Sequence, residues 1–262
     1  MARPGTDPNT SPNTSPGDGD GGFTPCPGAA SLPRMVLNQA SMEARLLLRN
    51  GEQLLLALVI PLLVLLAGRF GPVDVVLPEL VPGVLALAVL STSFTSLAIA
   101  TGFERRYQVL KRLGASPLPR SGLLAGKVIA VLLVQALQFV VIITVASTLG
   151  WRPPDWSVLG PAPAVLVLGT AACCALGLLL AGAFRAEATL AIANLVYVLL
   201  LIGGAVLLPV SAYPEVAQPV IALLPSAALA EGFRTGALWT LAVLAGWVLV
   251  AGLATARTFR WE

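Results

Sequence analysis

The chain has 262 residues, of which 56% are hydrophobic and only 11% are charged, and its formal net charge is +3. Since a soluble domain is about 25% charged, this composition excludes an ordinary water-soluble protein and favours a membrane protein. Histidine is absent, which excludes catalysis by a Ser-His or Cys-His pair and removes the commonest metal ligand. We therefore expect no catalytic residue, no metal site and no cofactor.

Residues 1–33 are rich in proline, glycine and small polar residues and contain no long apolar run. Such a segment cannot bury enough apolar surface to offset the entropy of ordering, so we predict a disordered tail. It lacks a basic start followed by an apolar core, so it is not predicted to be a signal peptide.

Residues 34–49 have a different pattern, in which Met35, Met42 and Leu46 recur at helical spacing and charged residues lie between them. This pattern predicts an amphipathic helix at a membrane surface. The alternative is a helical extension of the apolar segment that follows.

A membrane-spanning helix needs about 20 mostly apolar residues. Six uncharged runs come near or exceed that length, at residues 53–68, 80–103, 128–151, 156–184, 188–214 and 235–256. The first is short, and Pro61 within it predicts a kink. The apolar stretch at 216–230 contains two prolines and is too short to cross, so we expect an interfacial or re-entrant segment packed against protein. The predicted fold class is an all-α polytopic membrane protein with six transmembrane helices.

The distribution of positive charge predicts the orientation. With six spans, both termini lie on one side, and that side carries thirteen of the sixteen Lys and Arg residues. The positive-inside rule places this side in the cytoplasm. The other three, Arg69, Arg152 and Arg234, lie on the opposite side.

The connector between the second and third predicted spans, ERRYQVLKRLGASPLPRSGLLAGK, carries six of the sixteen Lys and Arg residues. Tyr107 and Leu110 fall near helical spacing, which predicts a short amphipathic cytoplasmic helix. We expect Glu104 at its start and Lys111 and Arg112 near its end, as the helix dipole favours. These residues alone leave two interpretations open, a helix lying on anionic lipid headgroups and a docking site for a soluble partner.

This connector resembles the first cytoplasmic loop of bacterial type 2 ABC transporter permeases. The matching positions are Glu104, Arg105, Leu110, Lys111, Arg112, Leu113, Pro117, Gly126 and Lys127. The connector departs from the family pattern at Gln108 and Val109, where many members have Gly and Thr. The stretch LPSAALAEGFR at 224–234 is similar to the segment that precedes the last span in that family, in Pro225, Glu231 and Arg234. The resemblance covers residues 34–262.

The resemblance implies that residues 34–262 form a six-span permease domain in a bacterial plasma membrane, with the connector as a coupling helix. The chain would then be a transport subunit and not an enzyme, with ATP hydrolysis on a separate ABC-type ATPase. The residues implied to contact that ATPase are Glu104, Arg105, Arg106, Tyr107, Leu110, Lys111 and Arg112. The other implied partners are a second permease copy, identical or related, and the lipid bilayer, but not nucleic acid. Export of a hydrophobic or amphipathic substrate is the implied activity.

Features absent from the sequence argue against two other classes of function, an ATPase and an ion-driven carrier. The chain contains no G-x-x-x-x-G-K-[ST] loop for binding phosphates, so hydrolysis of ATP by that chemistry is not expected of it. The six uncharged runs also lack the ionisable groups that ion-driven carriers place inside the membrane. A stand-alone channel or carrier and a membrane assembly protein without transport activity stay open as other function classes.

Several polar residues lie within the predicted spans. They are Ser93, Ser96, Gln135, Gln138, Asn194 and Tyr197. One interpretation is that they form hydrogen bonds between helices, each typically worth less than about 2 kcal/mol. The other is that they line a path for the transported substrate.

Overall fold

The computed structural model of the chain describes residues 30–49, 51–71, 76–109 and 119–258, with the backbone only at 52–56 and 120. Most of the predicted N-terminal tail therefore lies outside the described residues. The described chain is built from helices and short connections, and no strand occurs within these ranges. The predicted all-α fold class is confirmed.

The α-helices, numbered along the described chain, are α1 Leu32–Arg49, α2 Gly51–Phe70, α3 Leu77–Val89, α4 Leu97–Arg106, α5 Arg120–Thr148, α6 Trp156–Leu159, α7 Ala162–Ala183, α8 Ala186–Gly203, α9 Gln218–Ala222, α10 Pro225–Thr235 and α11 Leu238–Thr258. A π-helical segment, Leu90–Ser96, joins α3 to α4, and a short 3-10 turn occupies Val210–Ala212.

Five helical segments in the described part of the chain are long and apolar enough to cross a membrane. They are Leu77–Arg106, Ser121–Thr148, Trp156–Ala183, Ala186–Gly203 and Leu238–Thr258. The chain is thus a multi-pass membrane protein. The remaining predicted span corresponds to α2, which has 20 residues with Pro61 inside it, and the count of six stays a prediction.

The fifth predicted span ends earlier than its uncharged run suggested. The run extends to residue 214, but α8 ends at Gly203, and Ala205 has a left-handed backbone with φ of 54°. Two consecutive glycines, Gly203 and Gly204, weaken the helix at this point. The chain that follows α8 is therefore a bent connection and not part of the span.

The predicted amphipathic helix is present as α1. Its buried residues are Ala40, Glu43 and Ala44, and it packs against α5. The large apolar residues Leu37 and Met42 are exposed instead, at 60% and 44%. Small residues therefore face the protein, while the bulky apolar residues are available to contact lipid.

The stretch LSTSFTS in the second span is the π-helical segment. The hydroxyl of Thr92 donates a hydrogen bond to the carbonyl of Ala88 at 2.9 Å, and that of Ser93 donates to Val89 at 2.5 Å. These bonds compete for carbonyls of the helical ladder, which favours a local change of helical register. α7 approaches this segment closely, because a Cβ added at Gly177 would lie 2.8 Å from the Phe94 carbonyl oxygen.

The apolar stretch at 216–230 forms two short helices, α9 and the first part of α10, neither of which is long enough to cross a membrane. α10 is buried along most of its length, from Pro225 to Ala230, and it packs against α3, α7 and α11. The second half of the stretch therefore packs against protein as predicted, whereas the first half does not, since Val216, Val220 and Leu223 are exposed.

Arg234 at the end of α10 holds the bent connection after α8. Its guanidinium donates to the carbonyls of Ala205 at 3.0 Å and Val206 at 2.5 Å, and it lies 3.5 Å from the Glu231 carboxylate. Burial lowers the pKa of Arg234 from its ordinary value, while the neighbouring Glu231 charge raises it. An arginine stays charged under these conditions, so one cation satisfies backbone carbonyls that no helix can satisfy.

We predict that Arg234→Gln lowers the free energy of unfolding by about 3 kcal/mol, because hydrogen bonds to a charged group are worth about 1.5–3 kcal/mol each. The measurement is thermal unfolding of the purified chain in detergent. Arg185→Gln is the matched control, because Arg185 is exposed and surface substitutions change stability by about 0.5 kcal/mol or less. Equal unfolding temperatures for the two variants would contradict the role of Arg234.

Candidate functional site

The first part of the predicted coupling region, residues 104–109, lies at the end of the second span and is described by the structure. α4 runs without interruption through Glu104 to Arg106, and a turn follows in which Gln108 has a left-handed backbone with φ of 58°. The prediction that Glu104 begins a separate helix is therefore wrong. The amide of Tyr107 still donates to the Phe103 carbonyl at 2.9 Å, so the span continues past the first charged residue.

Glu104 remains at the end of a buried helix because Lys127 neutralises it. The Lys127 ammonium of α5 lies 2.8 Å from Oε2 of Glu104 and 3.0 Å from Oε1 of Glu43 on α1. The amide of Gln39 also donates to Oε1 of Glu43 at 3.0 Å. We call Glu43, Glu104 and Lys127 the charge cluster. It joins three helices that are far apart in the sequence.

The Lys127 side chain is only 5% exposed, so the charge cluster lies in a poorly solvated environment. Transferring such charges out of water is costly, and their mutual attraction offsets this cost only when every partner is in place. Removing one partner of a buried ion pair typically costs about 3–5 kcal/mol for that reason. The cluster therefore fixes α1, α4 and α5 in one arrangement.

The residue before Lys127 allows α1 to come close to α5. A Cβ added at Gly126 would lie 2.8 Å from Cγ of Gln39 and 3.5 Å from the backbone nitrogen of Ala40. A larger residue at this position would require the Gln39 side chain to shift. The Gly-Lys pair thus has two physical roles, close approach by Gly126 and charge pairing by Lys127.

Arg105 binds the carboxyl end of α7. Its Nη1 donates to the carbonyls of Ala181 at 2.9 Å and Gly182 at 2.6 Å, and its Nη2 donates to that of Phe184 at 2.9 Å. The last carbonyls of a helix have no partner within the helix and form the negative end of its dipole. The Arg105 guanidinium satisfies two of them, those of Ala181 and Gly182, together with the carbonyl of Phe184 just after the helix.

Arg106 forms an ion pair with Glu187 in the first turn of α8. Both side chains are more than half exposed, at 51% and 63%, so the pair contributes at most about 1 kcal/mol to stability. Its role is positional, because it links the end of the second span to the start of the fifth.

The remaining predicted contact residues are Tyr107, Leu110, Lys111 and Arg112. Tyr107 is 65% exposed, and its ring is stacked on Phe103 with 6.2 Å between centroids. Leu110, Lys111 and Arg112 lie outside the described residues. Their contact with an ATPase stays a prediction.

The polar residues within the spans fall into two groups. Gln135 and Gln138 are buried, at 0% and 1% exposure. Gln135 accepts a hydrogen bond from Thr170 at 2.7 Å, and Gln138 accepts one from Thr92 at 3.0 Å. Ser93 is also buried. These three side chains therefore take part in packing within the chain.

The other three residues are more accessible. Ser96 and Tyr197 are partly buried, and Asn194 is exposed on α8. Any contribution of these residues to a substrate path stays a prediction. Of the six polar residues, these three are the most accessible, as a residue that lines a path between this chain and another protein would have to be.

Sequence reasoning did not identify Glu43, Gln39 or Glu187 as parts of the site. Glu43 lies between Ala40 and Ala44 on the small-residue face of α1. An acidic residue on the face that packs against protein signals a buried partner. That pattern was available from the sequence, but the identity of the partner was not.

A family model described as ABC-2 type transporter matches residues 32–238. The matched region begins at the first residue of α1 and ends at the first residue of α11, so it includes the charge cluster and Arg105, Arg106 and Arg234. A comparison with curated proteins found no match.

We predict that Lys127→Met lowers the free energy of unfolding by about 3–5 kcal/mol, because it leaves two carboxylates buried without a cation. Adding Glu43→Gln and Glu104→Gln to the same chain should restore most of that loss, because no buried charge then remains. Thermal unfolding in detergent measures both effects. If the triple variant unfolded at the same temperature as Lys127→Met alone, the cost would not come from unpaired charge.

Proposed function

The chain belongs to the ABC-2 type transporter family, and from that premise we propose that it is the membrane permease subunit through which a separate ATPase drives export. The chain is a transport subunit, and the ATP-binding chemistry is assigned to the partner. The proposed cargo is a hydrophobic or amphipathic substrate. The proposed location is a bacterial plasma membrane with both termini in the cytoplasm, which is supported by the thirteen positive charges on that side.

The observation that carries the coupling proposal is the arrangement of four consecutive residues at the end of α4. Glu104 binds Lys127 of α5, Arg105 binds the end of α7, and Arg106 binds Glu187 of α8. Tyr107, the fourth, is exposed. A displacement at this point is therefore transmitted to three other spans at once.

This arrangement divides the predicted contact residues into two groups with different roles. Glu104, Arg105 and Arg106 have partners within the chain, so we propose that they transmit movement between helices. Tyr107, with Leu110, Lys111 and Arg112 after it, is proposed to contact the ATPase. Because α1 is joined to Lys127 through Glu43, the surface helix is proposed to move together with the coupling region.

A second permease copy is proposed to pack against α8. Only 17% of the residues in the most apolar part of this span are buried within the chain, compared with 72% for the second span. Its exposed face includes Leu195, Val198 and Ile202 together with Asn194. An exposed amide between apolar residues favours a hydrogen-bonding partner in another helix, because lipid offers none. Ser96 and Tyr197, the other accessible polar residues, are proposed to lie near the path between the two copies.

The coupling proposal is tested by crosslinking from Tyr107→Cys, in a chain with Cys26→Ala, in membranes that also contain an ABC-type ATP-binding protein. We expect a covalent product with the ATP-binding protein after treatment with a short thiol–amine reagent. The control is Val216→Cys, which is 91% exposed but lies in the connection between the fifth and sixth spans, on the opposite membrane face. It should give no such product.

Crosslinking of neither variant, or of both equally, would contradict coupling through Tyr107. Substrate flux in vesicles that contain the chain alone, without ATP, would favour the stand-alone channel. No flux under any condition, with no ATPase bound, would favour the assembly protein.

We predict that Asn194→Cys, in a chain with Cys26→Ala, forms a disulfide-linked dimer on mild oxidation in membranes. The two other cysteines, Cys173 and Cys174, are buried and should not react. Val140→Cys on α5 is the matched control, because its side chain is 63% exposed on a different span. A dimer from the control and none from Asn194→Cys would contradict pairing of identical copies through α8.

A further inference from the structure

An apolar cavity opens on the membrane face opposite the coupling region. Its volume is about 320 Å³, and it lies between α3, α5, α7 and α10. All the residues that line it are apolar, and they include Leu85, Phe139, Ile143 and Phe233. A cavity of this size and composition is suited to an aliphatic chain and offers nothing to a polar ligand.

A wider groove of about 690 Å³ lies next to this cavity and carries positive charge. Arg69 and Arg152 both line it, and Trp151 lines the groove and the cavity together. The two spaces also share α3, since Pro78 lines the groove and Pro82, one turn later, lines the cavity. An apolar site and a cationic site are therefore adjacent, with a tryptophan between them.

The two arginines are notable because this membrane face has few cations. Of its three Arg residues, Arg234 is occupied by backbone carbonyls, and the other two line the same groove. Neither has a carboxylate of the described residues within 4.0 Å. The acidic residues on this face are Asp74, which lies outside the described residues, and Glu79, Asp155, Glu215 and Glu231.

The depth of the cavity matches the membrane leaflet. Phe139 lies nine residues before the end of α5 at Thr148, which at 1.5 Å per residue places it roughly 14 Å below the helix end. The hydrocarbon core of one leaflet is about 15 Å thick. Phe139 and Ile143, which line the cavity from the same helix, are only partly buried, so the cavity side of α5 is partly accessible to lipid.

We propose that this cavity and groove bind one anionic phospholipid from the leaflet opposite the coupling region. One acyl chain enters the apolar cavity, the phosphate lies between Arg69 and Arg152, and Trp151 sits at the boundary between chain and headgroup, where tryptophan is favoured. The site is separate from the proposed coupling surface and from α8. It goes beyond the proposed function, because binding requires neither ATP nor a second subunit.

The test uses quenching of Trp151 fluorescence by lipids with brominated acyl chains. The full chain carries Trp151 alone, with Trp156, Trp239, Trp247 and Trp261 replaced by Phe. It is reconstituted in phosphatidylcholine vesicles that contain brominated phosphatidylglycerol or, in a parallel series, brominated phosphatidylcholine. Quenching as a function of the brominated fraction gives the relative affinity of the two lipids at this site.

We expect phosphatidylglycerol to bind at least about fivefold more tightly than phosphatidylcholine, because each arginine near an anionic lipid contributes about that factor. The double variant Arg69→Gln with Arg152→Gln should bring the ratio to about one, whereas Arg185→Gln, on the coupling side, should leave it unchanged. Ile143→Phe fills the cavity and should reduce quenching by both lipids. Val140→Phe, on the exposed face of the same helix, should not.

Three results would each overturn the proposal. They are equal affinity for the two lipids in the parent chain, a preference for phosphatidylglycerol that survives loss of both arginines, and undiminished quenching in Ile143→Phe. Because the measurement records lipid binding in the isolated chain, its outcome is independent of whether the chain couples to an ATPase.

Discussion

A single buried lysine connects the parts of this protein that the membrane would otherwise keep separate. Lys127 lies between Glu43 on α1 and Glu104 at the end of the second span. Apolar contacts between helices in lipid are weak determinants of geometry, because the lipid offers equivalent contacts. A poorly solvated charge cluster is different, since each member is stable only when the others are present. The position of α1, and with it the base of the connector, depends on this cluster.

Two arginines perform a related task at opposite membrane faces. Arg105 satisfies the carbonyls at the end of α7, and Arg234 satisfies those of the bent connection after α8. In both places the helical ladder ends and leaves carbonyls without a partner in the helix, some of them in buried residues, where an unpaired carbonyl is costly. Each arginine therefore satisfies these carbonyls and fixes a second element at that point.

These contacts make the end of α4 a meeting point of several helices. The three residues Glu104, Arg105 and Arg106 bind three different helices, and the next residue, Tyr107, is exposed. Residues that serve as partners within the chain cannot at the same time serve fully as contacts for another protein. The family resemblance grouped all of these charges as contacts for an ATPase, and the structure divides them by what they already bind.

The sequence by itself determined the fold class and the approximate places of five spans and of the helix α1, because charged residues are excluded from lipid and so mark where helices can end. It also favoured a packed segment at 216–230, since two prolines in fifteen residues cannot cross. It misplaced Glu104 at a helix start, because nothing local shows that Lys127, twenty-three positions later, would neutralise it. Only the tertiary structure decided the partners of Glu43, Arg105, Arg106 and Arg234. Hydrophobic periodicity reports which face of a helix avoids water, whereas a hydrogen bond or ion pair depends on which distant helix packs against that face.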